Sequence, residues 1–185
     1  MNPALELSKV SLCRKCVGLG KDHVPAAGNP RAEIMVIGQS PGADEVEQGQ
    51  PFVGPCGELL NYMLDEAGFA REDVYITNTL KCHPPGNRPG HLSEIKHCRK
   101  TWLVNEILSV KPLVILVLGK DAYTSVCPQD EKFDHKKKIY NKKLNCYFVL
   151  SYHPGFFLRN RTQIEEFISV GQFLRSVLEE VKPNG

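Results

Sequence analysis

The sequence predicts an α/β protein: a three-layer α/β/α sandwich on a mainly parallel sheet of about four strands. Three observations carry this expectation. Strand-like and helix-like segments alternate along the whole chain. The run Leu113–Leu118 (LVILVL) is apolar on both faces, as a central strand of a parallel sheet must be. Glycines and polar residues follow each strand-like run, at the carboxyl ends where open α/β sheets bind their ligands.

The elements follow in order. Ala32–Gly38 (AEIMVIG) reads as a short buried strand ending in a glycine turn. Gly57–Ala67 places Leu59, Leu60, Met63, Leu64 and Ala67 at helical spacing, and Gly68 ends the helix. Val74–Asn78 (VYITN) is β-branched and aromatic, hence a second strand. Leu92–Val110 is a long helical stretch with apolar Ile95, Trp102, Leu103, Ile107 and Leu108, stopped by Pro112. Leu113–Leu118 is the third strand, and Lys120–Val126 a short helix. Asp134–Asn145 is polar and lysine-rich, an exposed loop or hairpin. Leu144–Ser151 contains the fourth strand, and Thr162–Val181 is the closing helix.

Composition narrows the function classes. The 185 residues suit one domain, 1–185, with a segment before the first strand. Hydrophobic residues at 42% and charged residues at 24% exclude a mainly disordered chain. The longest clean apolar run is Leu113–Leu118, far short of the ~20 residues a membrane helix needs. Met1–Val10 lacks the apolar core of a secretory signal, so a cytoplasmic, intracellular protein is expected. A net charge of +2 gives no bulk attraction to polyanions, so nucleic-acid binding requires local clusters of charge.

Seven cysteines are present: Cys13, Cys16, Cys56, Cys82, Cys98, Cys127 and Cys146. An odd number without an export signal argues against a disulfide framework. Cys13-x2-Cys16 is a metal-ligand spacing, and it lies before the first strand rather than at a strand-to-helix turn, where a thioredoxin-type pair would be. It needs two further soft ligands to close a tetrahedral site.

The strand ends carry Gly38-Gln39-Ser40-Pro41-Gly42, then Asn78-Thr79-Leu80-Lys81-Cys82, then Gly119-Lys120, then Tyr152-His153-Pro154-Gly155. Polar groups, glycines and a histidine therefore converge on one rim of the expected sheet.

At these segments the chain resembles the uracil-DNA glycosylase superfamily, and most closely its iron–sulfur family 4. The resemblance is carried by GQSPGADEVEQGQPFVGPCGELL (38–60), NTLKCHPPGNR (78–88) and YHPGFFLRN (152–160). It runs from about Cys13 to the closing helix. It implies a repair enzyme that flips uracil out of single- or double-stranded DNA and hydrolyses the N-glycosidic bond, acting as a monomer away from membranes. The family's cluster cysteines map onto Cys13, Cys16, Cys82 and Cys98. Four thiolates suit either a [4Fe–4S] cluster or zinc. The resemblance favours the cluster.

The resemblance also implies roles. Asn78 matches the asparagine that selects the base. Its amide offers an acceptor to uracil N3–H and a donor to O4, and cytosine would leave both mispaired at about 1–3 kcal/mol each. Phe52 matches the ring on which the flipped base stacks, a contact worth about 1–3 kcal/mol. Gly38 and Gln39 match the backbone that holds the base. His153 matches the histidine that stabilises negative charge on the departing uracil O2. Glu45, with Asp44 beside it, occupies the place of a carboxylate that positions water and favours a cationic sugar. Arg159, Arg161 and the apolar Phe156, Phe157 and Leu158 form the expected DNA-contacting loop, with Leu158 as a wedge. Lys81, Arg88, Lys96, Arg99 and Lys100 add positive charge near the thiols.

The first motif departs from the family, which has a carboxylate where this chain has Gln39. Family-1 members carry glutamine there, so the exchange is compatible with activity. Gln39 motivates a rival, a non-catalytic or covalent uracil-DNA-binding protein. Covalent relatives have an inserted basic loop with a reactive histidine, and here Pro84–Ser93 is short with only His91. A glycosylase for another damaged base and a zinc-stabilised interaction module are the remaining alternatives.

Overall fold

In the computed structural model, which describes residues 13, 16, 19, 23–127 and 132–183, a six-stranded sheet runs in the order β1-β3-β2-β4-β6-β5. The strands are β1 (Ala27–Gly28), β2 (Ile34–Gly38), β3 (Tyr75–Asn78), β4 (Val114–Leu118), β5 (Lys138–Asn141) and β6 (Cys146–Ser151). Strands β3, β2, β4 and β6 are mutually parallel and form the expected four-stranded centre. The two outer strands are antiparallel additions. Two-residue β1 has no apolar periodicity to announce it, and β5 is the first arm of the lysine-rich hairpin.

Side chains alternate across the sheet, so each strand feeds two cores. Ile34 and Val36 with Val114, Leu116 and Leu118 pack against helices α2 (Pro55–Glu66) and α7 (Ile164–Val181) through Leu60, Met63, Leu64, Phe167 and Leu174. Met35, Ile37, Ile115, Val117 and Phe148 pack on the opposite face against Leu103, Ile107, Val110, Ala122 and Tyr123. The three layers are therefore as the sequence predicts. Among the described residues, no helix is long and apolar enough to cross a membrane.

The stretch Leu92–Val110 is not one regular helix. Helix α3 (Leu92–Cys98) passes through a π-helical turn over Arg99–Leu103 into α4 (Val104–Val110). The π turn adds one residue to the hydrogen-bonded ring, Val104 N–H donating to Arg99 O, and with this shift of phase buried Cys98, Leu103, Ile107 and Val110 all face inward. Leu108, expected on the apolar face, is exposed as a result of the final phase. The remaining helices are α1 (Ala43–Gln48), α5 (Lys120–Val126) and α6 (Pro154–Arg159).

Candidate active site

Parallel register brings Gly38 at the end of β2 beside Asn78 at the end of β3. The pairing continues past the strands, with the Thr79 N–H donating to Gly38 O and the Leu80 N–H to Gln39 O, both at 2.9 Å. A Cβ at position 38 would stand 2.3 Å from Asn78 Oδ1 and 2.6 Å from the Phe52 ring. Glycine is therefore what lets the asparagine amide and the aromatic ring approach one another over the strand end.

Glu45 on α1 organises this floor. Its carboxylate accepts the Phe52 N–H at 2.7 Å, the Gly42 N–H at 3.0 Å and the Asn78 amide at 3.5 Å. Burial raises its pKa, against the lowering effect of those donors and of Arg71. Phe52 itself is buried and takes a left-handed backbone, φ +54°. A Cβ at Gly57 would lie 1.9 Å from the Phe52 carbonyl oxygen, so the first turn of α2 passes directly over this residue. Arg71 clamps the same segment, donating to Pro51 O and to Asn61 Oδ1, each at 2.6 Å.

His153 stands at the end of β6 and caps α6, its Nδ1 accepting the Gly155 N–H at 3.1 Å. That bond leaves the proton of the neutral ring on Nε2, which is then a donor. Loss of solvent, assisted by the Arg159 charge, lowers the histidine pKa to about 4. The ring centroid lies 5.9 Å from that of Phe52.

These groups border a cleft of about 560 Å³, lined by Gln39, Asp44, Glu45, Phe52, His153 and Arg159 among others. The structure thus gathers the predicted Gln39, Asp44, Glu45, Phe52 and His153 around one cavity, whereas Gly38 and buried Asn78 stand beside the Phe52 ring without lining it. Asp44 is exposed and its carboxylate lies against Gly54. Three wall or support residues had no role assigned from sequence. Asn87 lines the mouth with φ +55°, directly after left-handed Gly86. Cys56 lines the wall, its thiol pKa raised by burial and by the charge of Glu45. Arg71 supports the floor from outside the motifs. The Pro-Gly-Asn sequence is a visible turn signal, whereas nothing marks Cys56 or Arg71.

The segment after His153 differs from expectation. It is helix α6, not a loop, because Pro154 at its first position favours helix entry. Phe157 is fully buried in the core, and Phe156 and Leu158 pack partly against it. Arg159 and Arg161 are exposed, and Arg159 also faces the cleft. Lys81 must be removed from the surface charges altogether: it is 1% exposed and paired with Glu106 at 2.7 Å. Arg88 is paired with Glu94 at 2.8 Å, which leaves Lys96, Arg99 and Lys100 as exposed charge on that side.

The four predicted metal ligands lie behind the end of β3. Cys98 is buried at the start of the π turn, and Cys82 is buried and bridged to His23. The Cys16 thiol hydrogen-bonds to that of Cys98 and is pushed up to about 11 by burial, Cys98 and Cys13. Cys98 is raised by burial and by Cys13, against a hydrogen bond from the Lys81 backbone N–H. The Cys13 thiol lies 3.7 Å from His97 Nε2. Among the described residues, no three side chains of ligand type reach the closeness of a formed metal site. The donor set nonetheless fits a thiophilic cation, since mutual repulsion of adjacent thiolates is what such a cation relieves.

Parallel strands deliver a glycine, an asparagine and a histidine to one rim beside a buried aromatic ring, which defines an open α/β fold with its cleft at the carboxyl ends of the strands. The family model of the uracil DNA glycosylase superfamily matches residues 25–182, and the chain belongs to that superfamily. Its relatives place it with the type-4 branch. A type-4 uracil-DNA glycosylase of Saccharolobus solfataricus is 36% identical over 190 residues, covering 95% of this chain and 88% of that protein. One from Pyrobaculum aerophilum is 36% identical over 165 residues, 84% of each chain. One from Archaeoglobus fulgidus is 46% identical over 117 residues, covering 62% of this chain and 58% of that protein.

Proposed function

We propose that this chain excises uracil from DNA by hydrolysing the N-glycosidic bond and leaves an abasic site without cutting the strand. The observation that carries the reading is His153, its Nδ1 occupied by the Gly155 N–H and its ring 5.9 Å from that of Phe52, with that ring and the Asn78 amide both drawn up against Gly38. The type-4 uracil-DNA glycosylases to which the chain is similar support it.

In this reading the flipped base stacks on Phe52. Asn78 Oδ1 accepts from N3–H, and the backbone around Gly38 and Gln39 holds the ring edge. His153 Nε2–H donates to uracil O2 as negative charge develops there, a stabilisation greater in the transition state than in the ground state. Glu45 spends its carboxylate on three donors, and its remaining acceptor position holds the attacking water. Asp44, at the exposed lip, adds negative potential that favours the cationic sugar. Arg159 and Arg161 meet phosphates, and Leu158 borders the extruded nucleotide. Residues 1–185 act as one monomeric unit inside the cell, where the DNA is.

Cys13, Cys16, Cys82 and Cys98 hold a [4Fe–4S] cluster with a structural role. The thiol chemistry described above supports a soft metal centre, and the type-4 likeness favours iron–sulfur over zinc.

The test is incubation of anaerobically purified protein with an oligonucleotide carrying one uracil. Free uracil and an alkali-labile site in an otherwise intact strand are expected. Tight binding without release, or protein that stays attached to DNA through denaturation, overturns the hydrolytic reading.

A further inference from the structure

Lys81 is a charged residue with nowhere to be solvated. Its ammonium is 1% exposed and donates to Thr77 Oγ1, to the Asn78 carbonyl oxygen at 2.8 Å and to Glu106 Oε2 at 2.7 Å. The Thr77 hydroxyl donates to the same Glu106 oxygen at 3.0 Å. The main chain of Lys81 is also committed on both sides. Its carbonyl accepts the Val24 N–H at 2.8 Å, and its N–H donates to the Cys98 sulfur. One residue thereby joins the end of β3, the segment before β1, helix α4 and the thiol group.

A buried ion pair is a poor way to gain stability, because desolvating both charges offsets most of their attraction. This one is also imperfectly satisfied. Glu106 Oε1 and the neighbouring Tyr75 hydroxyl have no hydrogen-bond partner among the described residues, and the Glu106 charge adds to burial in raising the Tyr75 pKa. Apolar residues of similar volume often replace such a pair without net loss, although here they would strip the Thr77 hydroxyl and the Asn78 carbonyl of these partners. What they could not do is grip a carbonyl. The carbonyl gripped is that of Asn78, the residue whose amide faces Gly38 and Phe52.

We propose that the Lys81–Glu106 pair is a positioning device for base selection: the ammonium, anchored by Glu106, holds the Asn78 carbonyl and so sets the aim of the Asn78 amide. Lys81 touches neither base nor sugar and acts through Asn78. The inference rests on the uracil reading of the cleft.

The closing experiment uses the full-length protein purified anaerobically, with the charge-neutral double variant Lys81→Met/Glu106→Leu, which leaves no unpaired buried ion. Two readouts are taken: single-turnover uracil excision, and affinity for oligonucleotides bearing 2′-fluoro-deoxyuridine or 2′-fluoro-deoxycytidine, which resist cleavage. The double variant is expected to keep the parent's thermal midpoint within a few degrees. Its excision rate should fall about 10–100-fold at saturating enzyme, the scale of an ångström-sized misplacement, and its preference for the uracil analogue should shrink by a similar factor. Glu106→Gln retains an acceptor for Lys81 and should restore most of both. It also carries the test should the double variant not fold: weaker anchoring then gives a smaller loss of the same preference. Unchanged preference and rate in the double variant overturn the positioning role while the parent's activity stands. A parent that neither excises uracil nor prefers its analogue overturns the functional reading, and this inference with it.

Discussion

The Asn78 side-chain amide donates to the Glu45 carboxylate, with Nδ2 3.5 Å from Oε2. A carboxylate can only accept, so it fixes which end of the amide is which. The NH2 group is turned to Glu45, and Oδ1 is the atom nearest the space above Gly38. The donor–acceptor polarity that the proposed base contact asks of Asn78 is therefore set by Glu45.

Glu45→Gln is expected to harm both fold and selectivity. A glutamine amide presents one N–H₂ to a site filled with donors, leaving the Phe52 N–H or the Gly42 N–H unpaired. An unsatisfied buried donor costs about 1–3 kcal/mol, hence several degrees in thermal midpoint for a chain of this size. Calorimetry and the uracil-to-cytosine ratio read the two effects. A variant unaltered in both would show that the carboxylate is not the organiser of the floor.

Asn78→Asp should weaken discrimination between uracil and cytosine. It also places a second carboxyl beside Glu45, so the pair shares a proton and the variant's residual excision should rise toward acid pH. Full uracil activity with unchanged selectivity would reduce Asn78 to a strand-end cap.

His153→Ala should lower single-turnover excision by about 10²–10³, the usual cost of one preorganised donor at a developing anion, with DNA binding retained. Asp44→Asn should cost far less, because that carboxylate is exposed and screened. A larger loss from Asp44→Asn would make electrostatic support of the sugar the leading contribution.

The histidine also fixes the expected pH behaviour. Its folded pKa is lowered to about 4 by burial first and Arg159 second, against about 6.5 in the unfolded chain. The unfolded state binds the extra proton, so the stability it contributes is complete above about 6.5 and is lost as pH falls from there toward 4. The neutral donor persists across that window. The excision rate attributable to His153 should therefore show no step near 6.5 and an acid limb only near 4. A rate profile with a midpoint at 6.5 would mean that the ring is solvated and titrates normally.

Disrupting the proposed metal centre should act on structure before chemistry. Protein isolated anaerobically is expected to be brown, with iron and sulfide. Cys98→Ser should bleach it, lower its thermal midpoint and loosen the segment before β1, as seen by faster proteolysis there. Stoichiometric zinc without iron would overturn the cluster assignment.

The layers and the rim were legible in the sequence because short apolar strands such as β2 and β4 alternate with helical spacing and each central strand runs into polar residues or glycine. That pattern put Gly38, Asn78 and His153 on one rim, while their expected roles came from the family resemblance. Contacts made by hydrogen bonding to the backbone were not legible. The lysine of Asn78-Thr79-Leu80-Lys81 looks like surface charge until its carbonyl and carboxylate partners are known, since pattern records residue type and not burial. Phe156-Phe157-Leu158 reads as a wedge because three apolar residues after a turn have no periodicity to test, yet the proline at the first position makes a helix that buries the middle one. The π turn was equally hidden, because a one-residue change of phase is shorter than the window over which periodicity can be judged.

The central strands carry site residues far apart in the chain, and this gives synthesis a timetable. Gly38, Phe52 and Asn78 emerge in the first half, whereas β6, which delivers His153, pairs with β4 only after residue 146 has been made. A nascent chain therefore holds Gly38, Phe52 and Asn78 long before the strand that delivers His153 exists. The face of β2 and β4 that α7 covers therefore stays open until the last described helix has been made.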